Sequence, residues 1–347
     1  MWKNGYCVTS RKTIKRGLQM MKFLFLLCAL LGTAVHAQQG NTYLKWNIDH
    51  TQRTPRPAYP LTTEQAAVID HYSLVYDPQG RLTQVTFFHE GQPSPAGDFG
   101  AAILTFAYAA DKTVEAYQDV GGEPVAVNGV LRKIYHHGPL GFWDRLTFET
   151  EDGTDMTGDG YSEVHVTRDS EGRVVTETRF DKNGNIVPEH NGFDRASFAY
   201  DANDMALYRR FENADGTLKN GRLGYAGVFF EFDQYGNFLN EEAQDASGNL
   251  APMSAGFSRI EWRDFNSFGK PARVNYFDAE SRPYAPYAFS TRTYTQAMQR
   301  DSVAYFDQHS LPTMHPAGFH RVEYHYGEGG IIERKLFDAD GIPVTSR

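Results

Sequence analysis

Residues 192–220 read GFDRASFAYDANDMALYRRFENADGTLKN, and residues 224–250 read GYAGVFFEFDQYGNFLNEEAQDASGNL. Both stretches begin with Gly and an aromatic residue, alternate apolar with polar residues, and contain two turns rich in Asp, Asn and Gly. Alternation with a period of two is typical of a half-buried β-strand, and Asp, Asn and Gly favour tight turns. Each stretch is therefore predicted to form two antiparallel strands.

The Gly-aromatic pair recurs along the chain at a nearly constant spacing. It stands at these positions: Gly160-Tyr161, Gly192-Phe193, Gly224-Tyr225, Gly256-Phe257 and Gly318-Phe319. The spacings are 32, 32, 32 and 62 residues, and the start missing from the last interval falls near Tyr287. Earlier, degenerate starts fit at Gly129 and Gly97, and a first unit begins near Gln65. The sequence therefore predicts an array of about nine units of about 32 residues.

Two further marks keep the phase of this repeat. An Asp closes the first strand of a unit at these positions: Asp77, Asp169, Asp201, Asp233 and Asp264. A second turn follows in these segments: FDKNG (180–184), ENADG (212–216), QDASG (244–248), FDAES (277–281), FDQHS (306–310) and FDADG (337–341). A two-stranded unit is marginal alone in water, whereas stacked units share one core. Residues 65–347 are therefore predicted to be all-β, a repetitive antiparallel β-hairpin array that is either a twisted meander or a solenoid.

The units also share a Tyr-Asp or Gly-Asn mark. It is found at these positions: Tyr76-Asp77, Tyr200-Asp201 and Gly236-Asn237. This consensus resembles the Tyr-Asp hairpin repeats of bacterial secreted proteins, whose known relatives are the RHS/YD-repeat shells. The resemblance covers about residues 65–347 and implies β-hairpin units. The period here is longer than that of the YD unit, so the encapsulating function of the shells is not implied.

The beginning of the chain has the features of a secretory signal peptide. A basic start at Lys22 is followed by an apolar run and by small residues that end at Ala37. Residues 1–37 are therefore predicted to be removed by cleavage after Ala37, and the mature protein to be periplasmic, cell-surface or secreted. A lipid anchor at Cys28 and a start at Met21 are the alternatives.

The mature chain is predicted to be acidic and to lack cysteine. Both cysteines and six of the 34 Lys and Arg residues lie in the predicted signal peptide, which has none of the 43 Asp and Glu residues. Its removal changes the net charge from −9 to −15. Such a surface repels phosphate backbones, which argues against nucleic acids and anionic membranes as partners. No membrane span is expected, because no apolar run reaches about 20 residues.

Between the signal peptide and the repeats, residues 38–64 contain three prolines, Pro55, Pro57 and Pro60. Proline clusters interrupt regular secondary structure and favour loops. This segment also lacks the marks of the repeat. It is therefore predicted to be a linker or a loosely ordered arm.

The most specific local motif is DMTGDGYSE at residues 155–163. Carboxylates at its first, fifth and ninth positions, a hydroxyl at the third and Gly at the fourth and sixth suit a tight loop around Ca²⁺. The motif resembles the calcium loops of FG-GAP and similar extracellular repeats. The predicted ligands are these residues: Asp155, Thr157, Asp159, Tyr161 through its carbonyl, and Glu163. The alternative is an acidic turn that needs no metal.

No catalytic motif is recognisable, because the chain has no G-x-S-x-G, no H-E-x-x-H, no phosphate-binding Gly-Lys loop and no dinucleotide fingerprint. The leading hypothesis is a non-enzymatic binding or scaffold protein of the cell envelope or the medium, which contacts a protein or glycan through an extended sheet. The alternatives are a secreted hydrolase of cell-wall or other glycans and a passive spacer. Aromatic residues, 14% of the chain, are assigned first to the core, with a sugar-stacking surface as the functional alternative.

Overall fold

The computed structural model describes residues 41–46, 55–327 and 330–345. The predicted signal peptide lies outside the described residues. The described part of the chain forms 22 β-strands and one short helix, α1 (Thr63–Ala66). Within it, no helix is long and apolar enough to cross a membrane.

The strands follow one another in pairs along the chain. They are β1 (Thr42–Lys45), β2 (Ala58–Pro60), β3 (His71–Tyr76), β4 (Leu82–His89), β5 (Gln92–Pro93), β6 (Ile103–Tyr108), β7 (Lys112–Gln118), β8 (Val130–His137), β9 (Trp143–Thr150), β10 (Glu163–Arg168), β11 (Val174–Phe180), β12 (Arg195–Tyr200), β13 (Ala206–Glu212), β14 (Gly227–Phe232), β15 (Phe238–Gln244), β16 (Arg259–Phe265), β17 (Pro271–Phe277), β18 (Phe289–Tyr294), β19 (Arg300–Phe306), β20 (Arg321–Gly327), β21 (Gly330–Phe337) and β22 (Pro343–Val344).

These strands belong to one open antiparallel sheet. β1 lies between β2 and β3, and β3 pairs with β4. The short β5 folds back onto β4, whose sheet neighbour on the other side from β3 is β6. From β6 to β22 each strand pairs with the next one along the chain. The predicted all-β array of antiparallel hairpins is confirmed, and its form is a meander.

The turns predicted for each unit are held by their Asp residues. The carboxylate of Asp201 accepts hydrogen bonds from the N–H groups two and four residues later, at 2.8 and 2.9 Å. The same pair of bonds recurs at the second turns, at these residues: Asp181, Asp245, Asp278, Asp307 and Asp338. The side chain satisfies backbone donors that a tight turn leaves unpaired. The assignment of Asp to these turns therefore has a direct physical basis.

One predicted turn residue is wrong. Asp264 lies inside β16, with a φ of 57°. The turn is made instead by Asn266, whose Oδ1 accepts hydrogen bonds from the N–H groups of Phe268 and Lys270, both at 3.0 Å. The reason is that β16 has 7 residues where β12 and β14 have 6, so its turn begins later.

The Gly-aromatic pair makes a third turn at each unit boundary. Gly192 has a φ of +86°, and its N–H donates to the carbonyl of Glu189 at 2.6 Å. A side chain at this position would be strained, because left-handed backbone brings Cβ close to the carbonyl oxygen. The next residue, Phe193, is buried in the core. Tyr287 is also buried in the core, at the boundary where Gly is absent.

One face of the sheet carries the core. Val85, Leu104 and Tyr117 occupy neighbouring register positions on β4, β6 and β7, and all three are buried. Aromatic rings also pack across unit boundaries in these pairs: Phe211 with Tyr225 (5.7 Å between centroids), Tyr276 with Tyr287 (4.9 Å) and Tyr305 with Phe319 (6.0 Å). Stacked units therefore bury apolar clusters to which neighbouring hairpins both contribute, which one hairpin could not do.

Tyrosine side chains tie each unit to the preceding one. The hydroxyl of a Tyr at or next to the end of the first strand donates to an earlier backbone carbonyl in these pairs: Tyr108 to Leu82 (2.6 Å), Tyr200 to Val174 (2.7 Å), Tyr294 to Pro271 (2.8 Å) and Tyr326 to Arg300 (2.7 Å). Each hydroxyl thereby finds a partner in the preceding unit. This contact gives a physical role to the Tyr of the first strand, which in Tyr200-Asp201 precedes the turn Asp.

Replacing Tyr200 by Phe is expected to lower the free energy of unfolding by about 1 kcal/mol, because the Val174 carbonyl loses its hydrogen bond while the ring still fills its space. Urea denaturation followed by circular dichroism measures the loss. Tyr208→Phe is the matched control, since the Tyr208 hydroxyl makes no hydrogen bond with the described residues, although its ring contacts Phe229. Equal losses in the two variants would contradict the role assigned to the hydroxyl.

Residues 41–46 and 55–61, here called the N-terminal clasp, contain β1 and β2. Leu44 and Leu61 of the clasp are buried together with Ile69. The segment predicted to be a linker is therefore, over its described residues, a docked part of the sheet. The difference arises because β1 pairs with both β2 and β3, a pairing that the proline-rich sequence does not indicate.

The clasp also contacts turns far along the chain. The ammonium of Lys45 donates to the carbonyl of Gly236 at 2.5 Å, across 191 residues of sequence. The ring of Tyr59 lies 5.2 Å from that of Tyr235, and the amide of Asn237 donates to the Tyr59 hydroxyl. The meander therefore coils until the turns of later units reach its first strands.

Candidate ligand-binding cleft

A cleft of about 850 Å³ lies where the clasp meets the later units. Its charged side chains are the following: Lys45, Lys270, Arg292, Arg300, Asp70 and Asp98. Cations outnumber carboxylates here, although the chain as a whole has a net charge of −9. The cleft is therefore a local positive site in an acidic protein, and such sites concentrate anions.

Both carboxylates of the cleft have partners within the protein. Oδ1 of Asp70 lies 2.9 Å from Nδ1 of His89, and its Oδ2 accepts a hydrogen bond from the amide of Gln299 at 2.7 Å. Asp98 accepts a hydrogen bond from the hydroxyl of Tyr72, also at 2.7 Å. The two acids are thus held by the fold rather than by the cations around them.

The two lysines are partly desolvated. Burial lowers the pKa of Lys45, although the nearby Asp233 carboxylate acts to raise it. Burial also lowers the pKa of Lys270, and there the Asp98 carboxylate acts to raise it. Lys45 donates to a backbone carbonyl, whereas the Lys270 ammonium has no hydrogen-bond or ion-pair partner among the described residues. A desolvated cation without a partner is stabilised by an incoming anion.

The turn that contains Lys270 explains why it has no carboxylate partner. In other turns the basic residue four positions after the Asp pairs with it, as follows: Arg81 with Asp77 (2.7 Å), Arg173 with Asp169 (2.8 Å) and Arg282 with Asp278 (2.9 Å). In this turn the residue four positions before Lys270 is Asn266. Asn keeps the hydrogen bonds of the turn but brings no charge, so the cation faces the cleft unneutralised.

His89 is a second unsatisfied group of the cleft. Its side chain is 6% exposed, and its Nδ1 faces the carboxylate of Asp70. Its Nε2 is buried and has no hydrogen-bond partner among residues 41–46, 55–327 and 330–345. Because a carboxylate accepts the Nδ1 proton, the neutral ring carries its lone pair on Nε2, a tautomer assigned from this hydrogen bond.

Tyrosine rings form part of the cleft walls. The hydroxyls of Tyr294 and Tyr326 donate to carbonyls of the preceding units, and burial raises the pKa of both, so they stay neutral. The ring centroid of Tyr324 lies 5.8 Å from the guanidinium of Arg300 and 5.9 Å from that of Arg334. With their hydroxyls engaged, Tyr294 and Tyr326 offer ring surface rather than hydrogen-bonding groups.

A second cavity of about 800 Å³ shares Asp98 with the cleft. The carboxylate of Glu115 in it accepts hydrogen bonds from these groups: the Lys133 ammonium (2.8 Å), the Tyr117 hydroxyl (2.8 Å) and the Tyr135 hydroxyl (2.7 Å). Burial acts to lower the pKa of Lys133, but Glu115 and Tyr117 together outweigh it and the pKa is raised. These polar groups satisfy one another, so they stabilise the fold and leave no demand for a ligand.

The predicted calcium residues lie at a turn beside the second cavity. The N–H and the hydroxyl of Thr157 both donate to the carbonyl of Tyr161, at 2.9 and 3.2 Å, so the structure brings these two residues together. The Tyr161 carbonyl thereby closes the turn. Asp155 and Asp159 are exposed, and Asp155 has a φ of 54°.

Glu163, the last of the predicted calcium ligands, is the first residue of β10. Its carboxylate lies 2.7 Å from Nε2 of His165 and 3.5 Å from the guanidinium of Arg145. In the part of the chain that the structure describes, no group of three or more His, Cys, Asp and Glu side chains is placed to hold a metal ion. The five residues do not form one cage in this arrangement, and calcium binding stays a prediction of the motif.

Sequence reasoning missed the cleft because its residues come from distant parts of the chain. Lys45, His89 and Lys270 belong to the clasp, the first unit and a late turn, and no motif links them. One signal was present, namely the Asn at position 266 in a series of Asp turns. In the sequence this signal is hidden, because Asp264 stands two residues before Asn266 and matches the repeat pattern.

No family model and no curated protein matches this chain. Solved structures that resemble this chain include a Tc holotoxin pore of Photorhabdus luminescens, with 12% identity and a TM-score of 0.30. The match covers 80% of this chain and 15% of that chain. Another is a porin-like protein of Bacteroides uniformis, with 12% identity and a TM-score of 0.29 over 76% of this chain and 87% of that chain. A third is the complex TcdB2-TccC3, with 12% identity and a TM-score of 0.23 over 81% of this chain and 18% of that chain. They agree with a β-repeat architecture at most and carry no argument about function.

Proposed function

We propose that this chain is an exported, non-enzymatic binding protein of the cell envelope or the extracellular medium, and that it holds an anionic ligand in the cleft. The observation that carries the proposal is the Lys270 ammonium, which lines the cleft without a partner among the described residues. Leaving a desolvated charge unpaired costs free energy, and a bound anion recovers it.

The surrounding cations support the proposal. Arg292 lines the same cleft, and its Nε is buried without a hydrogen-bond partner in the described part of the chain. Lys45 and Arg300 complete a set that comes from the clasp and from later units. Several cations around one volume favour a ligand with more than one negative group, and the acidic remainder of the chain favours a compact ligand over a long polyanion.

Replacing Asn266 by Asp is expected to weaken anion binding at least about tenfold, because the new carboxylate pairs with Lys270 as Asp77 pairs with Arg81. The turn is retained, since Asp makes the same turn bonds elsewhere. Isothermal titration calorimetry of residues 38–347 with two tetra-anions, tetragalacturonate and a tetraglutamate peptide blocked at both ends, measures the change.

Asn213→Asp is the matched control for this experiment. Asn213 occupies a turn of another unit, outside the cleft, so the variant adds the same charge without neutralising Lys270. Its affinity for the anions is expected to equal that of the unaltered protein. Failure of both anions to bind the unaltered protein, or equal weakening by the two substitutions, would defeat the proposal.

Anion affinity is expected to fall as the pH rises, and to begin falling at a lower pH than for an ordinary lysine site. The reason is that burial lowers the pKa of Lys45 and Lys270, and each ammonium is charged only below its pKa. Titrations at a series of pH values measure this dependence. Lys270→Arg keeps its charge throughout, so a fall that is just as steep in this variant would show that Lys270 is not the titrating group.

Export belongs to the same proposal. The predicted cleavage after Ala37 gives a mature chain that begins at Gln38. Intact mass of the protein recovered from the periplasm or the medium tests it directly. A chain that keeps residues 1–37 in that fraction would contradict export by cleavage.

A secreted glycan hydrolase is the second candidate function. The observation in its favour is the Asp70–His89 pair, in which an acid orients an imidazole whose Nε2 is unpartnered. Glycoside hydrolysis generally uses a pair of carboxylates, and the two carboxylates of the cleft, Asp70 and Asp98, both accept hydrogen bonds from side chains of the fold. Release of reducing ends from tetragalacturonate on incubation with the protein would favour the hydrolase over the binding protein.

A further inference from the structure

We infer that the ligand of the cleft is an acidic saccharide. This inference rests on the proposed anion site and adds the chemistry of the groups that stand beside the cations. The relevant groups are the buried Nε2 of His89 and the tyrosine rings of the wall. Each of them favours a chemical group on the ligand other than its negative charge.

His89 calls for a hydroxyl group. Its neutral ring presents a lone pair at Nε2, and a protonated ring presents an N–H there. A hydroxyl satisfies either form, because it can both donate and accept. A carboxylate oxygen satisfies the protonated form alone. The Asp70 carboxylate faces Nδ1 of the His89 ring, and Gln299 donates a hydrogen bond to that carboxylate. A ligand hydroxyl at Nε2 would therefore meet an imidazole ring whose orientation is fixed.

The tyrosine rings call for a flat, weakly polar surface. The hydroxyls of Tyr294 and Tyr326 are bound to backbone carbonyls, so a ligand meets the rings themselves. Ring faces carry partial negative charge and attract C–H groups. One side of a sugar ring presents such C–H groups, while its edge carries hydroxyls and, in a uronic acid, a carboxylate. An acidic peptide lacks the rigid flat side. Phosphate has no C–H groups at all, so it cannot pack on the rings in this way.

Four probes separate these chemistries in calorimetric titrations of residues 38–347. They are tetragalacturonate, neutral maltotetraose, the blocked tetraglutamate peptide and inorganic phosphate. Tetragalacturonate is expected to bind at least about tenfold more tightly than tetraglutamate, which has the same number of carboxylates. Maltotetraose and phosphate are expected to bind more weakly still, because each offers one part of the required chemistry.

Replacing His89 by Phe is expected to weaken tetragalacturonate binding about tenfold more than it weakens tetraglutamate binding, because the saccharide alone loses a hydroxyl contact at Nε2, whereas both anions meet an Asp70 carboxylate that has lost its His89 partner. His71→Phe is the matched control, because His71 is also 6% exposed but stacks on Phe88 outside the cleft. If the His89 variant does not fold, the ranking of the four probes on the unaltered protein still decides the question.

The possible results distinguish this inference from the proposal beneath it. Equal affinity for tetragalacturonate and tetraglutamate would overturn the saccharide and leave the anion site standing. Tighter binding of maltotetraose than of either tetra-anion would overturn both, as would the absence of binding by every anion. Phosphate binding as tight as tetragalacturonate would overturn the saccharide and identify a simple anion site.

Discussion

Deletion of residues 192–223, one whole repeat, is expected to leave an antiparallel β-sheet with a free energy of unfolding about 2–4 kcal/mol lower than that of the full chain. The new junction places Gly224 after Asn191 and so restores a complete unit on both sides. The loss comes from the clasp, because Tyr59 would face a turn displaced by one unit and lose its ring contact and hydrogen bond.

Deletion of half a repeat is expected to be far more damaging. Removing residues 201–216 takes out β13 and the turns beside it, so every later strand runs in the opposite direction relative to β12. The core face of those strands would then meet water. The cost would exceed the free energy of unfolding of a typical domain, which is about 5–15 kcal/mol. Far-UV circular dichroism and urea titrations compare the two deletions. Similar behaviour of both would show that the assigned register is wrong.

Replacing Leu44 by Ala is expected to lower the free energy of unfolding by about 2–4 kcal/mol. Leu44 is 9% exposed and packs in a small cluster with Leu61 and Ile69, so truncation leaves a cavity between the clasp and the first unit. A loosely ordered arm, as the sequence predicted for this segment, would tolerate the same change at almost no cost. The experiment therefore decides whether the clasp is docked in solution.

Leu207→Ala is the matched control for the clasp experiment. Leu207 lies in β13 with 44% of its side chain exposed, so its truncation is expected to change the free energy by about 0.5 kcal/mol or less. Urea denaturation of both variants gives the comparison. Equal effects of the two substitutions would mean that the clasp is not packed against the sheet.

The repeat could be predicted from the sequence because its determinants are local. Asp201 makes its turn through backbone groups two and four residues away, and Gly192 ends a turn within one unit boundary. Such bonds leave a periodic trace in the sequence. The error at Asp264 shows the limit of this trace, because one extra residue in β16 moves the turn to Asn266 while an Asp still stands close to the expected position.

The candidate site was harder to foresee than the repeat. The calcium motif drew attention to residues 155–163 because its residue types and spacing were conspicuous. The cleft has no such motif, since its cations are single residues in otherwise ordinary units. Lys270 becomes a candidate ligand-binding group through what its turn lacks, and that absence is meaningful only after the turn has been placed at Asn266.

By itself, the sequence determined the two strands of each unit, their turns and the apolar positions that alternate along them. These features depend on hydrogen bonds and contacts within one unit or between adjacent units. Only the tertiary structure decided that Lys45 of the clasp reaches Gly236 and that Lys45, His89 and Lys270 share one cleft. The physical reason is that each unit rotates slightly against the last, and the place where the coil meets its own beginning depends on the accumulated rotation of many units.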